Sequence, residues 1–169
     1  MSRASITGWG KYLPDNILTN KDLEEMVETN DEWIRSRTGI KQRYIAADDE
    51  TTADLAYHAA RKALSKADLK AEKIDMIIVA TVTPDMPFPA TSCILEDRLG
   101  AANAATFDLE AGCSGFVYGL SVASQFIESG MYDNILVVGA ETLSKIMDWE
   151  DRNTCVLFGD GAGAGPVRA

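Results

Sequence analysis

Apolar and polar positions along the chain fall into two alternating rhythms. KIDMIIVATVT (73–83) has a short, uninterrupted apolar centre, the pattern of a strand covered on both faces. ETTADLAYHAARKALSKADL (50–69) instead places small and apolar residues at 53, 56, 60, 63 and 64, the spacing of a one-sided helix. RASITGWGKYL (3–13) predicts a strand broken by two glycines, and PDNILTNKDLEEMV (14–27) opens a helix capped by Thr19 or Asn20 with acids in its first turn. Three prolines in PDMPFPA (84–90) predict a rigid loop. A helix over 91–100 stopped by Gly100 and a strand AATFDL (104–109) come next. NILVVGAET (134–142) is a further apolar strand, and TCVLFGDGAGAGPV (154–167) begins as one before turning glycine-rich. Such alternation predicts an α/β layered domain: a largely parallel, mixed sheet of about five strands with helices on both faces. Neither an internal repeat nor a linker interrupts it.

The stretch DLEAGCSGFVYGLSVASQFIESG (108–130) departs from the one-sided rule. Phe116, Val117, Leu120, Val122, Phe126 and Ile127 surround the helix axis, so a buried helix is expected from Cys113 to residue 129, closed by Gly130. Gly115, Gly119, Ser121 and Ala123 leave little bulk along it, which admits close approach of another helix. Cys113 stands at its start between Gly112 and Gly115. Unpaired N–H groups at a helix start favour a thiolate, and the glycines keep the approach to sulfur open. Two readings are open for this segment: an activated nucleophile, or one more buried cysteine.

Composition narrows the alternatives. The 169 residues suit one compact domain, and 46% hydrophobic residues supply an ordinary core. A formal charge of -10, spread along the chain, disfavours generic binding to nucleic acid or an anionic membrane. It still permits a local basic spot in IRSRTGIKQR (34–43), either a solvated face or a contact for a phosphate-bearing ligand. Three cysteines without CxxC spacing and one histidine support neither a zinc site nor a disulfide framework. No leader opens the chain and no apolar run approaches the roughly 18 residues of a membrane span. A reducing, cytoplasmic setting is therefore expected, with no metal.

Other candidate chemistry is weaker. Cys93, in the first turn of its helix, and Cys155, inside TCVLF, read as packing residues. His58 reads as a surface or half-buried side chain with nothing to mark it as a base for Cys113. GDGAGAG (159–165) lacks both a following helix and a Walker lysine, so tight backbone packing around a buried site explains it better than a phosphate loop.

The blocks GWGKYLPDN, TNDEWIRSRTGIKQRYIA, DLEAGCSGF, ILVVGAETLSK and DRNTCVLFGDGAGA, in order over residues 6–164, resemble the β-ketoacyl-acyl-carrier-protein synthase III enzymes of the thiolase-like superfamily, which start fatty-acid synthesis. The resemblance implies a thiolase-like fold and a Cys113 that attacks an acyl-coenzyme A thioester, with malonyl-acyl-carrier protein as second substrate and no cofactor beyond the thioester itself. It implies that Trp33 and Arg152 sandwich the coenzyme A adenine, that Arg37 contacts phosphate with Thr29 nearby, and that Leu143 and Phe158 line the acyl pocket. Phe88 resembles the residue that reaches across a dimer into the partner's acyl pocket.

Those enzymes run to about twice this length, a size suited to two core-forming halves, and the second half supplies a histidine, an asparagine and an oxyanion-hole amide. Residues 1–169 thus read as the N-terminal half of a condensing enzyme whose C-terminal half is absent, chemically incomplete alone, with FGDGAGA followed by GPVRA where the family continues as an apolar strand. A large apolar face is then expected on the half, covered by a homodimer partner or by a complementary chain. Alternatives are a starter-unit condensing enzyme of secondary metabolism, or a non-catalytic acyl-CoA-binding scaffold.

Overall fold

The structure, a computed structural model, describes residues 3–169. In chain order the elements are β1 (Ser5–Ile6), β2 (Gly10–Tyr12), β3 (Asn16–Thr19), α1 (Asn20–Glu24), α2 (Asp31–Thr38), β4 (Gln42–Ile45), α3 (Thr52–Lys66), β5 (Met76–Ala80), α4 (Thr91–Leu99), β6 (Ala105–Leu109), α5 (Gly115–Glu128), β7 (Asn134–Thr142) and β8 (Asp160–Arg168). The main sheet runs β1-β8-β7-β5-β6, with β2 following β1 along the same edge of β8, so six strands fill five positions.

Only β6, β5 and β7 are parallel; β8 is antiparallel to β7 and to β1 and β2. The mixed sheet of about five strand positions expected from the sequence is thus present, with its parallel part running over β6, β5 and β7. Parallel neighbours need a long crossover, which α4 and α5 provide for β5, β6 and β7, whereas the chain between β7 and β8 folds back without an α-helix.

β5 is buried along its whole length because each of its faces meets a helix. Ile77 and Val79 join Leu136 and Val138 under the alanines of α3, while Met76 and Ile78 join Ile135 and Val137 under Ala123 and Ile127 of α5. α3 begins in a capping box in which Thr51 and Asp54 satisfy each other's backbone N–H groups. Its residues 53, 56, 60, 63 and 64 are all buried, as their spacing predicts. The two glycines of the broken first strand are required by this helix: a Cβ on Gly10 would lie 2.2 Å from the Ala59 carbonyl oxygen.

Two segments differ from expectation. The strand predicted to begin at TCVLF is instead β8, made of the glycine-rich run itself and continuing to Arg168, while residues 152–157 form turns. Pairing with β7 on one edge and with β1 and β2 on the other overrides the poor strand propensity of glycine. The second is α5, expected to be buried all round. Its buried residues are Gly115, Gly119, Ala123 and Ile127, one face pressed on the sheet, with Val117 59% and Tyr118 54% exposed. Val117 and Tyr118 thus form an exposed apolar spot on the outer face of α5, smaller than the large apolar face expected.

A smaller layer stands beside the sheet. β3 and β4 pair antiparallel, and α1 and α2 close over Leu23, Ile34, Cys155 and Val156. Thr19 caps α1 as expected.

Candidate active site

β6 ends at Leu109, and Gly112, at φ +51°, starts a tight 3₁₀ turn over Gly112–Ser114 that delivers the chain into α5. Cys113 is the middle residue of this turn, so the α-helix begins two residues after it rather than at it. Gly115 lets the helix start settle on the sheet, where a Cβ would stand 3.0 Å from that of Ala80. Cys113 is exposed, whereas Cys93 is half-buried and Cys155 is buried.

Cys113 opens into a cleft of about 590 Å³ walled by Leu13, Val82, Phe116, Leu143 and Phe158 and floored by backbone at Gly139, Gly161 and Gly163. The glycines of β8 thus make room: a side chain at 161 would meet Leu13 at 3.1 Å, and Gly139 takes the Phe116 ring where a Cβ would lie 3.4 Å from it. Glu141 is the one charged residue in this lining. Its carboxylate is committed elsewhere, accepting from the Val82 N–H at 3.0 Å and from the hydroxyls of Thr81 and Thr83, and so it fixes the loop after β5.

A second constellation lies on the small layer. Asn30 caps α2 by accepting from the Trp33 N–H at 2.7 Å, which sets the indole on the first turn. The Arg37 guanidinium carbon lies 5.1 Å from the Trp33 ring centre and that of Arg152 lies 4.8 Å from it. Thr29, just before the cap, has a buried hydroxyl with no partner among the described residues. The segment from 143 to 158 connects the two constellations, with Leu143 and Phe158 in the cleft and Arg152 on the indole between them.

Phe88 does not line the cleft of its own chain; it is 86% exposed on the loop before α4. His58 is exposed and stacks on Tyr12 at 4.6 Å, outside the cleft lining. The Cys93 sulfur meets the Thr106 hydroxyl at 3.2 Å, and burial pushes the Cys155 thiol up despite the neighbouring Arg43 charge. Among the described residues no cluster of histidine, cysteine and carboxylate side chains suits a metal, and no helix is long and apolar enough to cross a membrane.

The family model described as 3-oxoacyl-[acyl-carrier-protein (ACP)] synthase III matches residues 107–169. The β-ketoacyl-[acyl-carrier-protein] synthase III of Caldanaerobacter subterraneus subsp. tengcongensis is 65% identical over 164 residues, covering 97% of this chain and 50% of that protein. The crystal structure of 3-oxoacyl-[acyl-carrier-protein] synthase III from Aquifex aeolicus VF5 superimposes with a TM-score of 0.96 at 54% identity, over 98% of this chain and 54% of that one. The chain is a homologue of β-ketoacyl-[acyl-carrier-protein] synthase III. It spans about half the length of the curated relatives it matches. The priming β-ketosynthase of the R1128 polyketide pathway shares the fold equally well, with a TM-score of 0.96 at 39% identity over 98% of this chain and 50% of that one.

The roles of three residues of this synthase III homologue stayed hidden in the sequence. Glu141 anchors the loop after β5, as described. Asp160 is buried and accepts from the Ala46 N–H at 2.7 Å and from the Ser144 N–H at 2.9 Å, pinning the start of β8 beside the cleft. Arg43, also buried, reaches Asn20 and Val156. Each joins elements far apart in sequence; the GDG of the glycine-rich run was the one local signal, and it pointed to close packing.

Proposed function

We propose that this chain is the N-terminal half of a β-ketoacyl-acyl-carrier-protein synthase III, an acyltransferase that primes fatty-acid synthesis, acting with a complementary half. One observation carries the reading: of three cysteines, the one on the strand-to-helix turn opens into an apolar cleft. The Cys113 thiolate attacks the carbonyl carbon of an acyl-CoA, the carbon–sulfur bond to coenzyme A breaks, coenzyme A departs as its thiolate and takes a proton from solvent, and the acyl group remains as a Cys113 thioester. Malonyl-acyl-carrier protein then loses carbon dioxide, and the resulting carbanion attacks that thioester, forming the carbon–carbon bond and releasing the Cys113 thiolate.

In this reading Leu143 and Phe158 hold the acyl chain, Phe88 reaches a partner's pocket, and Trp33 with Arg152 takes the adenine between them. Arg37, with Thr29 nearby, meets phosphate. A planar guanidinium opposite an indole suits a planar base. The Cys113 N–H donates to the oxyanion, and the complementary half supplies a second donor together with a histidine and an asparagine. That half is carried by the rest of a longer polypeptide, by a separate chain, or in function by a second copy. The setting is the reducing cytoplasm, which suits free thiols.

The likeness to the polyketide priming β-ketosynthase favours a second reading, a starter-unit enzyme of secondary metabolism. Mixing the chain with a complementary half, malonyl-acyl-carrier protein and a series of acyl-CoAs tests both. Condensation product from acetyl-CoA or a short branched relative, abolished by Cys113→Ala, supports fatty-acid priming. Preference for longer or unusual starters supports the second reading, and coenzyme A binding without product leaves a scaffold.

A further inference from the structure

We propose that Arg43 is a positioning residue that sets the spacing between Trp33 and Arg152, an inference resting on the reading of that pair as the adenine clamp. Arg43 is 4% exposed in β4, yet the ion pairs among the described residues, Arg35 with Asp31 and Arg98 with Asp54, leave it without a carboxylate. Burying a cation without an anion is costly, and an apolar residue of similar volume ordinarily fills such a site at lower cost. The guanidinium is buried there although its Nε also has no partner among the described residues.

Its two ends show what it does. Nη1 donates to the Asn20 Oδ1 at 2.7 Å, and Nη2 donates to the Val156 carbonyl at 2.6 Å. The amide nitrogen of Asn20 donates onward to Asp31 Oδ1 at 2.8 Å and to the Ile40 carbonyl at 2.9 Å. Asp31 is the first residue of α2, whose first turn holds Trp33, and Val156 belongs to the segment that carries Arg152. One planar fork therefore ties both walls of the clamp together. The Asn20 amide lies between the Arg43 cation and the Asp31 anion with its dipole aligned to both, and its hydrogen bond is the main cause holding the Asp31 carboxyl below the usual range.

Gly159 supports the same role. A Cβ there would lie 3.0 Å from the Arg43 Cβ and 3.1 Å from the Tyr44 carbonyl oxygen, so the chain between Phe158 and β8 rests directly on the arginine stem. Arg43 thus stands between the clamp and the residue that walls the cleft. A lysine presents a point charge and cannot span both acceptors as the fork does.

Calorimetric titration with coenzyme A tests this on the wild type, Arg43→Lys, Asn20→Ala and the double variant. Iodoacetamide labelling of Cys113 reports in parallel on the cleft. Each single variant is expected to weaken coenzyme A binding by about tenfold, the scale of one charged hydrogen bond, with Cys113 labelled at the wild-type rate. The double variant should be no weaker than Arg43→Lys, because the two residues act through one network. Should Arg43→Lys fail to fold, Asn20→Ala carries the test alone. Wild-type affinity in both single variants overturns the inference while leaving the clamp intact. Failure of the wild type to bind coenzyme A overturns the clamp and the inference together.

Discussion

Replacing Trp33 by alanine removes the platform on which two guanidinium groups rest, Arg37 at 5.1 Å and Arg152 at 4.8 Å from the ring centre. An adenine between indole and guanidinium needs about 7 Å, two contact layers of about 3.5 Å each. Arg152 therefore has to withdraw by about 2 Å when the base enters. The withdrawal gives up a cation–π contact of about 0.5–1 kcal/mol, and a base stacked on an aromatic ring contributes about 1–3 kcal/mol. With alanine there is neither a contact to give up nor a ring to stack on. The expected loss is about 1–2 kcal/mol, or about 5–30-fold in Kd for coenzyme A. Titration calorimetry with coenzyme A measures it, and a pantetheine thioester without the nucleotide serves as control because its affinity should not move. Trp33 also packs on the small core around Leu23 and Ile34, so a thermal melt must accompany the titration and Trp33→Phe should recover part of the loss. Unchanged coenzyme A affinity in a folded Trp33→Ala variant, or an equal loss for the pantetheine thioester, refutes the adenine role.

Gly10→Ala should destabilise the fold by about 3 kcal/mol, the upper part of the range for overpacking, in a denaturant titration, because the new Cβ would stand 2.2 Å and 2.5 Å from backbone atoms of α3. Tyr12 donates to Glu50 at 2.7 Å, and that bond is the main cause that pushes its phenol up from 10.0 to about 12. A folded pKa above the unfolded one means a contribution fully present below pH 10.0 and lost as pH rises toward about 12, so Tyr12→Phe should flatten the alkaline limb of the stability curve. The exposed Val117 and Tyr118 on α5 should drive the isolated chain to associate in sedimentation experiments, and Val117→Glu should reduce it; a monodisperse wild-type monomer contradicts this.

What the sequence disclosed follows from where each signal resides. β5 and α3 carry their periodicity within a few residues, and both appear where the pattern puts them. α2 escapes a pattern reading because DEWIRSRT buries Ile34 alone. β8 escapes because its strand character comes from pairing on two edges, not from its glycines. The apolar circumference of α5 overstated its burial, since Val117 and Tyr118 are exposed while Phe116, Leu120, Val122 and Phe126 are only partly buried. At the site, the glycine-flanked Cys113 was visible locally, whereas Leu143, Phe158 and the Trp33–Arg152 pair entered through the family resemblance. Glu141 carried no local signal, and Arg43, read with the basic run 34–43 as solvated or phosphate-facing, is instead buried; both act across the fold, Glu141 on the Val82 N–H and Arg43 on the Val156 carbonyl.

The most direct test of acyl transfer through Cys113 is mass spectrometry of the chain after exposure to acetyl-CoA, with and without a complementary half. One acetyl group on the peptide containing Cys113, dependent on that half and absent from Cys93 and Cys155, is the result expected. Acetylation of another cysteine, or none on Cys113 with both halves present, contradicts the account.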